Sequence, residues 1–288
     1  MQSSTRQPLL VILFVLSLGL TGCSSIMSSA TGQLAKNLAL SIQQHDDPDT
    51  VASAMPAYLL MTDSFIQDDP QNIQMLLSGA KLYTAYANLF VNNEQRTKKL
   101  TQRAFDYALR AACAQNSVTC AAKSMPFTEF KSIIKNLDKD NIGILFILGQ
   151  SWASWLKSHS DDWNAVAELP RIRLIFEKIL ILNENYQQGS AHLYMGILHS
   201  LLPASIGGKP DVAKQHFEMA IKLSGNKNLM AKVNYAEHHA RLVFDQTLHD
   251  QLLNEVINAK VKEPSMTLIN TIAQHKAKTL LKSGRDYF

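Results

Sequence analysis

A glycine-centred helical pattern recurs along this chain and constrains its fold more than any other feature. The clearest copy is Leu145-Phe146-Ile147-Leu148-Gly149-Gln150-Ser151-Trp152-Ala153-Ser154-Trp155, which is apolar on most sides and carries two of the three tryptophans. Large side chains three apart at Trp152 and Trp155, in a run of this length, predict a buried helix. Two other stretches align with it on the glycine: Leu76-Leu77-Ser78-Gly79 with Leu82, and Tyr194-Met195-Gly196 with His199. Each copy is followed by a second stretch with apolar residues at offsets 0, 4 and 7. These sets are Ala104, Ala108 and Ala111; Ile172, Phe176 and Ile179; and Ala213, Phe217 and Ala220. A small residue in the first helix of such a pair lets the second pack close.

The last set has the alanine, aromatic, alanine order of tetratricopeptide (TPR) repeats. The expected fold class is therefore all-α, a TPR-like array of helical hairpins (an α-solenoid). The glycines lie 70 and 47 residues apart, so the repeats are degenerate and carry insertions. The competing reading is a non-repeat helix bundle in which the glycines merely ease packing. Composition favours helices under either reading. Leucine, alanine, lysine and glutamine are plentiful, whereas the 288 residues hold only 12 glycines and 9 prolines.

Helix signals punctuate the chain in order. Asp49 or Thr50 is a plausible cap for Val51 to Ile66, with Pro56 either kinking that helix or marking a start near Met55. Asn72 to Val91 and Glu94 to Ala114 follow, the latter with the apolar stripe of a surface helix. A short helix from Thr128 to Leu137 leads into a polar stretch at 135–141 that reads as a loop, and then into the tryptophan segment. A helix from near Trp163 is interrupted at Leu169-Pro170 and continues to Leu182. Gly189 to Leu201 is another helix of the central type. Gly207-Gly208 marks a loop, and Pro210 opens the next helix in its first turn. Helices at 228–244 and 245–260 precede a last one from Met266 to Ser283.

The N-terminus stands apart. Arg6 precedes an apolar run from Leu9 to Leu20, shorter than the roughly 20 residues that a membrane span needs. Leu20-Thr21-Gly22-Cys23 then has the form of a bacterial lipobox. Residues 1–22 read as a lipoprotein signal peptide, and Cys23 as the mature, diacylated and N-acylated terminus, with more than one acyl chain for stable anchoring. The alternative is an ordinary signal peptide with a chance cysteine. Ser24 in place of aspartate favours the outer membrane, facing the periplasm. Residues 23–47 read as lipidated terminus and tether, and 48–288 as a single helical domain. In an oxidising compartment, the spacing of Cys113 and Cys120 permits a local bridge or leaves two thiols.

Several chemistries find no support. The formal net charge is +4 with charges interspersed, so no basic, aromatic-laced surface suggests nucleic acid. There is no phosphate loop, no Gly-x-Ser-x-Gly elbow and no zinc-helix motif, hence no expectation of an enzyme or a cofactor. His192 and His199, seven apart on one helix, and the pair His238-His239 read as core or cavity histidines rather than metal ligands. Asp46-Asp47 and Asp161-Asp162 read as caps. The groove positions expected of a TPR-like array are Ala80, Tyr83 and Thr84; then Gln150, Ala153 and Ser154; then Ile197, Ser200 and Leu201. Phe146, Leu193 and Trp155 join them as candidate cavity or partner surface. Gly149 and Trp152 are expected to face the paired helix.

Six stretches in order carry a family resemblance: Ala54-Met55-Pro56-Ala57-Tyr58-Leu59-Leu60, Leu82-Tyr83-Thr84-Ala85-Tyr86-Ala87, Arg103-Ala104-Phe105-Asp106-Tyr107-Ala108, Gly149-Gln150-Ser151-Trp152-Ala153-Ser154-Trp155, Leu201-Leu202-Pro203-Ala204-Ser205-Ile206-Gly207-Gly208-Lys209-Pro210 and Leu268-Ile269-Asn270-Thr271-Ile272-Ala273-Gln274. Together they resemble the T-component lipoproteins that accompany tripartite ATP-independent periplasmic (TRAP) transporters. The resemblance implies a helical, TPR-like lipoprotein that associates with the transporter's periplasmic substrate-binding subunit. It further implies assembly into a homotrimer with an internal cavity or pore. A structural scaffold lipoprotein of the outer membrane or cell wall, with no small ligand, is the alternative.

Overall fold

A computed structural model of the chain describes residues 37–288. The signal segment, the lipidation position Cys23 and most of the tether lie outside the described residues. The described chain is helical, with no strand among its residues. After helical residues 37–44 come twelve α-helices: α1 (Pro48–Asp68), α2 (Ile73–Phe90), α3 (Glu94–Gln115), α4 (Phe127–Asn136), α5 (Ile142–Ser158), α6 (Trp163–Val166), α7 (Leu169–Leu182), α8 (Ser190–His199), α9 (Pro210–Leu223), α10 (Leu229–Asn234), α11 (Gln246–Asn258) and α12 (Thr267–Tyr287).

Side-chain caps set several helix starts. Asp47, rather than Asp49 or Thr50, caps α1: its carboxylate accepts from the backbone N–H groups of Asp49 and Thr50 at 3.0 and 3.3 Å. Pro48 then occupies the first turn, where its missing N–H costs nothing, and Pro56 lies inside the helix without ending it. Asn72 caps α2 through Met75 N–H, and Asn93 caps α3 through Arg96 N–H. The segment beginning at Trp163 breaks earlier than its proline suggests. It ends at Val166, and Pro170 falls in the first turn of α7. The expected helix at 228–244 is α10 followed directly by a π-helical turn, Tyr235–Ala240. Phe244, at a φ of 58°, stops it. The polar stretch at 135–141 is only partly a loop, since α4 runs to Asn136 and Lys139–Asn141 form a 3-10 turn.

Helices pack in a row. From α2 the contacts run to α3, α5, α7, α8, α9, α10 with its π-turn, α11 and α12, while α4 lies against α7. The row also meets itself. α12 touches α1, and Leu268 joins Val51, Met55, Leu59, Tyr83 and Tyr86 in one apolar cluster.

The three aligned glycines lie at helix crossings. A Cβ on Gly79 would meet Tyr107 of α3 at 2.8 Å; on Gly149, Ile175 and Phe176 of α7 at 3.0 Å; on Gly196, Phe217 of α9 at 2.9 Å. Each first helix thus approaches an aromatic ring of the second at a distance that no larger residue allows. The three second-helix sets, Ala104 to Ala111, Ile172 to Ile179 and Ala213 to Ala220, are all buried.

Trp152 departs from expectation. It is fully buried, and its ring contacts are with Phe105 of α3 and Phe130 of α4, at centroid distances of 4.9 and 6.0 Å. The reason is angular. Gly149 brings α7 onto its own side of α5, and Trp152, three residues on, sits about 60° round the helix, on the side where α3 packs. Cys113 and Cys120 are disulfide-bonded, tying the last turn of α3 to the 3-10 turn Ser117–Thr119.

Candidate functional site

The side chains expected to form a groove divide into two groups. Ala80, Tyr83, Thr84, Phe146, Ser154, Trp155 and Ser200 are buried. Gln150, Ala153, Leu193, Ile197 and Leu201 are half-buried. Most of the buried group has identifiable packing or hydrogen-bond partners. Tyr83 donates to Asp63 at 2.6 Å. Thr84 and Ser151 hydroxyls pair at 3.1 Å, and Ser154 donates to Asn88 at 3.0 Å, so that α2 and α5 run side by side. Phe146 makes edge contacts with Phe176, Tyr186 and Tyr194. Trp155 lies on the α3 side, near Trp152. Its indole N–H donates to Gln102 at 2.6 Å, and its ring packs on Phe105 and His159 under the Lys123 ammonium at 4.4 Å. The Ser200 hydroxyl has no protein partner.

A charged cluster joins the π-turn and α12. Lys276 of α12 donates to Glu237 of the π-turn at 2.6 Å, and His238 lies 3.5 Å from the same carboxylate oxygen. Lys157, in the last turn of α5, is exposed to solvent. Even so, desolvation pushes its ammonium below the usual lysine range, with repulsion from Lys276 adding to this and Glu237 opposing it. Lys81 of α2 shows the same combination, exposed yet lowered by desolvation. Glu237 is raised by burial, but Lys276, His238 and Lys157 outweigh this and hold it below the ordinary glutamate range. Burial holds His238 to about 4 despite the Glu237 carboxylate. Lys157 of α5, Glu237 and His238 of the π-turn and Lys276 of α12 thus influence one another's charge. Gln150 and Ala153 precede Lys157 on α5 by seven and four residues, which puts all three on one face. Burial pushes the Tyr194 hydroxyl up to about 12, with a hydrogen bond from Gln150 acting the other way.

A second polar cluster lies between α7, α8 and α9. His192 and His216 approach through their Nδ1 atoms at 2.8 Å, and His192 Nε2 lies 3.1 Å from Glu184. The carboxylate only accepts, so His192 donates to Glu184 from Nε2. His199 stacks on His216, and both are held to about 4, by burial first and then by neighbouring cationic groups. Among the described residues no group of three or more His, Cys, Asp and Glu side chains is arranged to hold a metal. A void of about 20 Å³ beside Phe130, Ile134 and Leu148 has room for about one water. A wider groove of about 590 Å³, between α11 and α12, is lined by Asp250, Asn254, Lys278, Lys282 and Arg285. None of the groove positions expected from sequence lines either space.

Sequence reasoning missed Lys81, Lys157, Glu237, His238 and Lys276. One signal was present: Lys157 is a lone cation at the end of an apolar helix, one turn after Ala153. Nothing in sequence tells which charged neighbours such a lysine meets until the helices pack.

Among the described residues, no helix is long and apolar enough to cross a membrane. A protein of Treponema pallidum (strain Nichols), described as uncharacterized, is similar at 20% identity over 263 residues, 85% of this chain and 81% of that protein. The sequence profile of the TRAP transporter T-component family matches residues 44–288, in agreement with the resemblance carried by the six ordered stretches. The chain belongs to the TRAP transporter T-component family.

Proposed function

We propose that this chain is a lipid-anchored, periplasm-facing adaptor of a TRAP-type solute uptake system, held through Cys23 at the outer membrane. It binds the system's periplasmic substrate-binding subunit and receives a small ligand on its inner face. Family membership over residues 44–288 carries this reading, because it ties the whole helical row to a transporter. Residues 1–22 act as signal peptide, 23–47 as lipidated tether and 48–288 as one TPR-like domain of helical hairpins. That domain works as a binding module rather than an enzyme, and it assembles as a homotrimer. Gln150, Ala153, Leu193, Ile197 and Leu201, half-exposed on α5, on α8 and just beyond it, form the uncharged part of the ligand wall.

Co-purification tests the adaptor. Full-length protein extracted from membranes should bring down a periplasmic substrate-binding protein. Cys23→Ala should shift the chain to the soluble fraction and retain that partner. Recovery of envelope-assembly components alone would overturn this reading in favour of a structural scaffold.

A further inference from the structure

The outward side of α1 is bare and apolar. Val51, Met55, Leu59 and Ile66 turn inward and are buried. On the other side Leu60, Met61 and Phe65 are 69%, 46% and 50% exposed, with Ala57 beside them. Asp63 is the only charged residue between Asp49 and Asp68, and it points inward to Tyr83 and Tyr107. A helix at the start of a row normally turns a polar side outward, because nothing stacks on it. The three large side chains expose roughly 300 Å² of apolar surface, a patch of functional size yet well short of the ~800 Å² that each partner of a stable complex contributes. The chain ahead of α1 points to what covers the patch. Helical residues 37–44 are docked beside it, since Ile42 packs on the cluster that holds Val51, Met55 and Leu59. Only residues 24–36 separate Cys23 from that docked segment, a span of at most about 50 Å. A bilayer held so close needs no large interface, because the tether makes the contact intramolecular and a weak one suffices.

We propose that α1 lies along the phospholipid surface, with Leu60, Met61 and Phe65 seated at the boundary between headgroups and acyl chains. This inference rests on the reading of Cys23 as lipidated. It adds the face that meets the bilayer, and with it the orientation of the helix row on the membrane. The outward side of α1 carries no charge, so the contact is apolar, indifferent to lipid charge and resistant to salt. Asp49 and Asp68 bracket the patch and stay in water. A second copy of the chain could cover the same face, but the exposed area is too small to hold one without further contacts.

The test is fluorescence quenching by brominated lipid, with full-length, lipidated protein in phosphatidylcholine vesicles and the native tryptophans as the blank. Phe65→Trp should add blue-shifted emission that lipid brominated high on the acyl chain quenches at least about twofold, the depth at which an interfacial helix buries its apolar side. Ile181→Trp, at a position 80% exposed on α7, should add emission that the same lipid leaves unchanged. Adding Leu60→Ser and Met61→Ser to Phe65→Trp should remove most of the quenching. All three side chains stand largely in solvent, so these variants should melt like the parent protein. Quenching should persist in high salt and without anionic lipid. No quenching of Phe65→Trp in protein that floats with the vesicles would overturn the proposal and leave the Cys23 anchor standing. Blue-shifted emission without quenching would give the face to a second copy of the chain and overturn it as well. Equal quenching of Ile181→Trp, or quenching that salt abolishes, would remove apolar insertion by α1 from the account. Flotation reports on the anchor separately: Cys23→Ala should leave the vesicles, and a lipidated chain that never floats overturns anchor and face together.

Discussion

At the residue scale, Asp63 bears the most concentrated polar load. Its carboxylate accepts from Tyr83 at 2.6 Å, Tyr107 at 2.8 Å and Arg103 at 3.0 Å, joining α1, α2 and α3. Arg103 is half open to water, so the Coulombic part is screened, and the hydroxyls of buried Tyr83 and half-buried Tyr107 count for more. Asp63→Asn keeps the shape but removes the charge that all three donors share. It should cost about 1.5–3 kcal/mol, read as a lower urea midpoint at unchanged slope. Sequence gave no hint of this role, because a lone aspartate between Thr62 and Ser64 looks like any helix-surface acid. Its three donors come from residues 20 to 44 positions away. Trp155 illustrates the reverse. Its burial was legible from the apolar run, but its direction, toward Phe105 and Gln102, followed from which helix packed on which side of α5.

At the element scale, the glycines decide how closely helices cross. Phe217 lies 2.9 Å from where a Cβ on Gly196 would be, with three ring atoms at that distance. A ring in a close-packed crossing has little room to move. Gly196→Ala should therefore destabilise by about 1–3 kcal/mol even though alanine is the better helix former. An equal or higher melting temperature for Gly196→Ala would show that the α8–α9 crossing can open without cost. The crossing glycines and the apolar sets opposite them were legible because a 3.6-residue period is written locally. The π-turn at Tyr235–Ala240 was not, since its apolar pattern is that of an ordinary helix. It nonetheless places Glu237 within reach of Lys276.

At the scale of the whole molecule, acid should loosen the fold. His199, His216 and His238 are held to about 4 in the folded chain, against an ordinary value of 6.5. Between those values the unfolded chain carries more protons, so stability is complete above about pH 6.5 and falls as pH drops toward 4. Buried His199, beside Arg173, His216 and Lys209, contributes about 1.4 kcal/mol per pH unit over that window. Melting temperature measured from pH 7 to 4.5 should decline. The decline should be shallower in a His199→Gln, His216→Gln double variant, and an identical slope would remove these histidines from the account. The closure of the row belongs to this scale as well. Leu268 of α12 reaches the α1 and α2 side chains Val51, Met55 and Tyr83 across nearly the whole described chain.

Sequence alone determined the helical class, most helix positions, the glycine crossings, the buried faces opposite them and the family. All of these are local or ordered patterns, readable one turn or one motif at a time. Only the tertiary structure decided which surfaces became interior. Tyr83, Thr84 and Ser154 turned into inter-helix contacts, whereas Glu237 of the π-turn and Lys276 of α12 came together as an ion pair. The physical reason is that a side chain's environment is set by which helices cross beside it. Each crossing joins segments distant in sequence, and no single segment encodes it.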